Sequence, residues 1–299
     1  MISILGLFGC SELATSKPIG SQLEWIDNVE LRWFGVTSLS IRFSDRLWLL
    51  DPFFSRPVAG ELVPNALGKE WMIELLGQQV DRIWVGHSHY DHALDVRTAA
   101  SHYDSPVYGS ATTWYLVEGL SCHRIDHGWE AVVDGVTVKA FRTSHWRPDW
   151  TGVGSYDALT APSDDYALAP NGGVLSFHMQ FPFGQSIFFQ DTMGPLNAAD
   201  GSGETYADNM AEVSEFPIDL WLACGNCLSE PSELAAYVSL LNPTQVIPIH
   251  WDGAMPDPES PPTYVSDPTW EAVFSDFAIP AEPFSGYNQP VVLQNTESF

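Results

Sequence analysis

This chain is organised around one stretch, Ile83-Trp84-Val85-Gly86-His87-Ser88-His89-Tyr90-Asp91-His92-Ala93-Leu94-Asp95. A short apolar run at residues 82–85, typical of a buried strand, stops at Gly86 and is followed by three histidines and an aspartate. Alternate residues of extended backbone point the same way, so His87 and His89 are predicted to present their imidazoles to one point. A turn into a helix at residues 94–103 would direct Asp91 and His92 to a second point close by. Imidazole and carboxylate groups at this density favour a site for Zn²⁺ or a similar divalent ion over a polar surface loop.

Four side chains cannot complete the coordination of two ions, and three later positions offer the rest. Each follows an apolar, strand-like run: His145 after residues 136–141, Asp191 after residues 186–189, and His250 after residues 245–249. Loops at strand ends are held by a rigid sheet and often carry chemistry. Asp51 ends a similar run upstream, at residues 47–50.

The spacing His-x-His-x-Asp-His after a strand resembles the signature of the metallo-β-lactamase superfamily, and the later order His, Asp, His also matches. The resemblance covers about residues 29 to 255 and implies the α/β class, as a four-layer αββα sandwich. Two stretches resemble one branch of this superfamily in particular: Phe34-Gly35-Val36-Thr37-Ser38-Leu39 and Asp51-Pro52-Phe53-Phe54-Ser55. That branch contains ascorbate-6-phosphate lactonase and N-acyl-phosphatidylethanolamine phospholipase D.

The resemblance also implies roles for the individual residues. It assigns one ion to His87, His89 and His145, the other to Asp91, His92 and His250, a bridging role to Asp191, and a supporting role behind the ligands to Asp51. The implied cofactors are two divalent cations, Zn²⁺ first and Mn²⁺ as the alternative, which share a hydroxide nucleophile. Asp91 is then the catalytic residue that orients the water and handles its proton.

These roles predict a hydrolase that cleaves an ester, lactone or phosphodiester bond in a small or amphiphilic substrate. The alternative is a metal-binding protein without hydrolytic activity, either a redox protein or a scaffold. The named branch commonly has a histidine just before the helix that starts here at Pro231, where this chain has Leu228-Ser229-Glu230. Neither named activity is therefore transferred wholesale.

A long connection, residues 146–172, begins directly after His145 and has few apolar runs. Long loops without secondary structure are often functional, and aromatic side chains bury large areas in ligand pockets. Trp146, Trp150 and Tyr156 are accordingly candidate substrate-lining residues, with an exposed insertion as the alternative.

The composition limits the partners. The chain of 299 residues carries 38 acidic and 12 basic residues, a formal charge of −26, so it repels nucleic acid. The resemblance and the aromatic residues of the long connection predict a small-molecule or lipid-like substrate instead. No apolar run of about 18 residues, the length that spans a bilayer, occurs in the sequence. We expect one domain at residues 23–299.

The first 22 residues are predicted to lie outside that domain. Leu7-Phe8-Gly9-Cys10 resembles a bacterial lipoprotein box, and a polar tether follows it, but no Lys or Arg precedes Cys10. Two locations stay open: an exported protein anchored by a lipid at Cys10, which is the only membrane contact foreseen, and a cytoplasmic protein. A Cys10→Ser substitution should release an anchored protein from membranes.

Cys224-Gly225-Asn226-Cys227 is a C-x-x-C motif after a strand-like run, without a second such motif in the chain. Three interpretations stay open: a redox-active pair, half of a zinc site, or a tight connection in which glycine and asparagine form the turn.

Overall fold

The computed structural model describes residues 28–56, 63–77, 79–145, 173–200, 202–225, 227–228, 230–252 and 268–294. Trp146, Trp150, Tyr156 and Cys10 lie outside these residues, so the substrate-lining segment and the lipid anchor stay predictions.

Thirteen strands lie in the described ranges. They are β1 (Val29–Gly35), β2 (Ser38–Phe43), β3 (Arg46–Leu50), β4 (Arg82–Trp84), β5 (Val107–Gly109), β6 (Cys122–Arg124), β7 (Glu130–Val133), β8 (Val136–Arg142), β9 (Leu175–Gln180), β10 (Ser186–Gln190), β11 (Leu220–Cys224), β12 (Gln245–Ile249) and β13 (Pro290–Leu293). The first sheet has the order β13-β1-β2-β3-β4-β5-β6 and the second the order β12-β11-β10-β9-β8-β7. Each sheet thus combines antiparallel strands with a run of three or four parallel ones.

Seven helices connect these strands within the described residues: α1 (Ala66–Leu76), α2 (Tyr90–Ala93), α3 (Val96–Tyr103), α4 (Ala111–Leu116), α5 (Tyr206–Val213), α6 (Pro231–Leu241) and α7 (Pro268–Asp276). Side-chain caps fix two of their starts. Asn65 accepts a hydrogen bond from the Gly68 N–H of α1, and Thr205 with Asp208 forms a capping box on α5. None of these helices has the length and apolar character needed to cross a membrane.

Alternation along the strands separates three apolar layers. Trp84 of β4 and Phe189 of β10 point between the two sheets, into the central core. Ile83 and its neighbours face α1 and α3, whereas Phe188 and Trp221 face α5, α6 and α7. Helices therefore cover the outer face of each sheet, and the predicted α/β class with a four-layer αββα sandwich is confirmed.

The structure corrects the prediction for the segment after the histidine motif. Sequence alone predicted a helix at residues 94–103 with a turn before it, but a helical turn already begins at Tyr90 and a second helix begins at Val96. The helix predicted to start at Pro231 does start there and ends at Leu241, with proline at its first position where no N–H is needed.

Candidate metal centre

The candidate ligands follow strands that run in one direction. β3 is parallel to β4, and β10 is parallel to β11 and β12. β8 has the direction of β10, because β9 is antiparallel to both. The carboxyl ends of these strands bring the predicted side chains of both sheets together at one edge of the sandwich.

Three imidazoles form the first group. His87 and His89 lie two residues apart after the end of β4, and His145 follows β8 from the other sheet. His87 Nε2 lies 3.2 Å from His89 Nδ1, and the His145 ring centroid lies 4.7 Å from that of His89. One nitrogen of each ring falls within 4.8 Å of the others, which suits a single ion.

The second group combines one carboxylate with two imidazoles. Asp91 and His92 lie on the helical turn α2, and His250 follows β12. Asp91 Oδ2 lies 3.4 Å from His250 Nε2 and 3.8 Å from His92 Nε2. The three donors lie within 4.8 Å of one another, again within reach of one ion.

Asp191 lies between the two groups and is fully buried. Its Oδ2 is 2.5 Å from His87 Nδ1 and 3.4 Å from His92 Nδ1, so it contacts one imidazole of each group. Gly86 permits this approach, since a β-carbon there would overlap the Asp191 carboxylate. Asp191 Oδ1 has no hydrogen-bond partner among the described residues.

Asp51 and Thr37 hold His92 from behind. The Thr37 hydroxyl donates to Asp51 Oδ2 at 2.8 Å, and His92 Nδ1 lies 2.9 Å from the same oxygen and 2.7 Å from the hydroxyl. The hydroxyl gives its single proton to Asp51, so its oxygen accepts from His92 Nδ1, and His92 carries its proton on that nitrogen. The Nε2 lone pair then faces Asp91, the tautomer that a metal ligand needs.

The β1–β2 turn supports His250 in a similar way. Its tip residue Val36 accepts a hydrogen bond from the His250 N–H at 2.7 Å and donates its own N–H to Asp252 at 2.9 Å. Val36 (φ 52°) and His250 (φ 59°) are both left-handed, a conformation that costs energy for residues with a β-carbon. The hydrogen bonds of this turn hold both residues in place.

The electrostatics of the site favour added positive charge. Burial lowers the pKa of both His87 and His89 to about 3, which leaves their imidazoles neutral. Burial raises the pKa of Asp191 to about 8, and burial together with the charge of Asp191 raises the pKa of Asp51. Within the described residues no lysine or arginine forms an ion pair with Asp51, Asp91 or Asp191.

The residues present therefore fit two divalent cations. Neutral imidazoles and buried carboxylates are the donors that Zn²⁺ and related ions accept. The unpaired Asp191 Oδ1 is a buried acceptor that such an ion would satisfy.

No family model matches the chain, but individual relatives do. The chain is 28% identical over 120 residues to a UPF0173 metal-dependent hydrolase of Flavobacterium johnsoniae, covering 39% of this chain and 48% of that protein. It is 28% identical over 250 residues to a UPF0173 metal-dependent hydrolase of Thermococcus onnurineus, covering 80% and 93%. Its alignment thus spans about half the length of the first relative and nearly all of the second.

Solved structures agree on the architecture. Igni18, a metallo hydrolase of Ignicoccus hospitalis, superposes with a TM-score of 0.59 at 16% identity, covering 89% of this chain and 99% of that one. The metallo-β-lactamase fold protein YhfI of Bacillus subtilis superposes with a TM-score of 0.54 at 10% identity, covering 89% and 100%. The chain has the metallo-β-lactamase fold. The superfamily resemblance is confirmed to this extent, whereas the lactonase and phospholipase branch stays a prediction.

In this metallo-β-lactamase-fold protein, the contacts that support His92 and His250 were not predicted from the sequence. Val36 and Thr37 belong to a stretch that carries the branch resemblance, but their contacts and those of Asp252 were not predicted, because the partners lie far away along the chain. All seven predicted ligands and Asp51 do lie together.

Cys224 and Cys227 of the C-x-x-C motif are joined by a disulfide. In this state neither sulfur is a thiolate that could bind zinc, and the redox and turn interpretations stay predictions. The histidines outside the motif have other surroundings. His178 Nε2 lies 2.8 Å from the Pro217 carbonyl. His127 Nδ1 accepts a hydrogen bond from the Arg142 N–H, so the single N–H of the neutral ring is on Nε2, which faces Glu212.

Proposed function

We propose that this metallo-β-lactamase-fold protein is a metal-dependent hydrolase with two divalent cations, Zn²⁺ first and Mn²⁺ as the alternative. One observation carries the proposal: seven histidine and aspartate side chains from two sheets form overlapping groups whose donor atoms lie within 4.8 Å. The relatives named metal-dependent hydrolases support the same class of reaction.

The two groups described above would hold one cation each, and Asp191 would contribute to both. Two such cations lower the pKa of water and stabilise negative charge on a reacting oxygen. The chain's own part is to fix the donors: Thr37 and Asp51 set the tautomer of His92, and the Val36 carbonyl sets the position of His250.

Asp91 is the group proposed to handle the proton. Burial raises the pKa of its carboxyl, but the hydrogen bond and charge of His250 outweigh burial, so the pKa is lowered and Asp91 stays ionised at neutral pH. An ionised carboxylate at this position can accept a proton from a water and return it to the leaving group.

The proposed substrate is a small or amphiphilic molecule with an ester, lactone or phosphodiester bond. The net charge of −26 disfavours long polyanions such as nucleic acids, whereas a single phosphate can be held by two local cations. Residues 146–172 are the proposed cover of the pocket, and shortening them should reduce kcat/KM for large apolar substrates most.

A non-hydrolytic redox function is the second candidate, and one observation favours it. The diiron β-hydroxylase CmlA of Streptomyces venezuelae superposes with a TM-score of 0.52 at 13% identity, covering 90% of this chain and 54% of that one. The same fold therefore hosts oxidative chemistry, and the bound metal and the reaction have to be measured.

Elemental analysis of the purified protein, combined with a panel of ester, lactone and phosphodiester substrates, tests the proposal. We expect up to two equivalents of zinc or manganese, hydrolysis of at least one substrate, and loss of both in a His87→Ala/His89→Ala variant. A matched control is His102→Ala/His123→Ala, because neither histidine belongs to the site. Equal metal content in wild type and the site variant would refute the assignment, and iron without hydrolysis would favour the redox function.

A further inference from the structure

His145 and Asp191 follow two strands of the second sheet, β8 and β10, that do not pair with each other. The paired register of β9 and β10 ends at Phe177 and Phe189, so Gln190, directly before Asp191, pairs with Ala223 of β11 and not with β9. β8, which leads to His145, is separated from β10 by β9. The backbone ladder therefore does not tie these two strand ends to each other.

Side chains make the missing connection. Gln190 is fully buried, and its amide donates to the Thr143 hydroxyl at 2.7 Å. Its carbonyl accepts from the Trp221 indole N–H at 3.1 Å. Thr143 lies two residues before His145, so this contact joins the two ligand-bearing segments.

The loop after Asp191 is held close to the His145 segment as well. The Tyr237 hydroxyl donates to the Gly194 carbonyl at 2.9 Å. Gly194 packs against the His145 carbonyl so closely that a β-carbon there would overlap it. The loops carrying His145 and Asp191 are thus joined by side chains and by direct backbone contact.

These polar groups lie in an otherwise apolar layer that includes Phe141, Phe188 and Met210. A buried amide costs free energy unless both of its ends are hydrogen-bonded, as they are in Gln190. An aliphatic residue of the same size would fill the space without polar contacts. The hydrogen-bonded chain therefore fixes geometry that packing alone would leave less defined.

We propose that Gln190 and Thr143 are positioning residues that set His145 against Asp191 and thereby determine how tightly the centre binds its cations. The inference rests on the proposed metal centre and extends it to residues that touch no ligand atom of an ion. It predicts that the second sheet has its own support, separate from the Thr37 and Val36 turn that supports His92 and His250.

Cobalt(II) titration of metal-free protein, followed by visible absorption and by chelator competition, tests the inference. Gln190→Met removes both hydrogen bonds at similar volume and should weaken cobalt binding about 10- to 100-fold, with a changed visible spectrum. Thr143→Val should do the same, and Thr143→Ser, which keeps the hydroxyl, should restore wild-type affinity and spectrum. The Gln190→Met/Thr143→Val double variant should weaken binding by less than the product of the two single effects, because both single variants remove the hydrogen bond between Gln190 and Thr143.

Gln180→Met is the matched control, since its amide hydrogen-bonds the Gly184 carbonyl in a hairpin turn outside the site. Circular dichroism checks that each variant folds. If Gln190→Met does not fold, the comparison of Thr143→Val with Thr143→Ser tests the positioning role. Wild-type affinity and spectrum in Gln190→Met or in Thr143→Val would overturn the positioning role while leaving the proposed function intact. A wild-type protein that binds no cobalt would overturn the proposed function and this inference together.

Discussion

Replacing Thr37 by valine isolates the support behind His92. The substitution keeps shape and volume but removes the hydroxyl that donates to Asp51 Oδ2 at 2.8 Å and contacts His92 Nδ1 at 2.7 Å. A buried hydrogen bond to a charged group contributes about 1.5–3 kcal/mol. At about 1.4 kcal/mol per tenfold change, we expect metal affinity to fall roughly 10- to 100-fold.

Chelator competition with zinc on the metal-free protein measures this change directly. Thr37→Ser should retain most of the affinity, because it keeps the donor. Thr113→Val is the matched control: Thr113 is also fully buried, but its hydroxyl has no hydrogen-bond partner among the described residues. Its removal should leave metal affinity unchanged and should not lower stability.

If Thr37→Val and Thr113→Val bind zinc equally well, the hydroxyl does not orient His92. If both lose affinity equally, the effect comes from general loss of packing and not from the hydrogen bond.

Four further outcomes are expected. Gly86→Ala should lose at least half of the bound metal, because its β-carbon would displace the Asp191 carboxylate; full metal content by elemental analysis would contradict this. Asp91→Asn should keep the fold but lower kcat by about 100-fold or more, and near-normal turnover would count against the proton-handling role. Burial raises the pKa of Asp191 to about 8 in metal-free protein, so cation binding near pH 7 should release protons, and the number released should fall as the pH rises above 8. A binding enthalpy independent of the buffer near pH 7 would argue otherwise. Cys224 and Cys227 should react with alkylating reagent only after reduction, and the Cys224→Ser/Cys227→Ser variant should lose only about 2 kcal/mol of unfolding free energy, since the ring is short; labelling without reductant would show a dithiol instead.

The spatial grouping of the ligands was predictable because it depends on local pattern. His87 and His89 lie close together directly after an apolar run, and His145, Asp191 and His250 each follow a strand-like apolar run. The first helical turn begins at Tyr90, whereas the sequence predicted helix only from residue 94. A four-residue turn has too little periodicity to mark its own start. What each ligand does to a metal stays a prediction.

The supporting contacts were not predictable from local pattern. Thr37 contacts Asp51 and His92, and Val36 contacts His250, across separations that no periodicity encodes. The left-handed conformation of Val36 runs against the preference of a β-branched residue, which tertiary hydrogen bonds override here. Helix α1 was also missed, since its start depends on the Asn65 cap more than on a strong apolar stripe.

Both three-residue groups draw on the two sheets at once. His87 and His89 belong to the first sheet and His145 to the second; Asp91 and His92 belong to the first and His250 to the second. A bound cation would link the two sheets. Because it binds only when both sheets are in place, its binding would stabilise the assembled sandwich relative to any state in which the sheets separate. Removal of the metal should therefore weaken the contact between the two sheets. Amide hydrogen exchange should become faster at the strand ends that carry the ligands before it does so in the helices on either outer face.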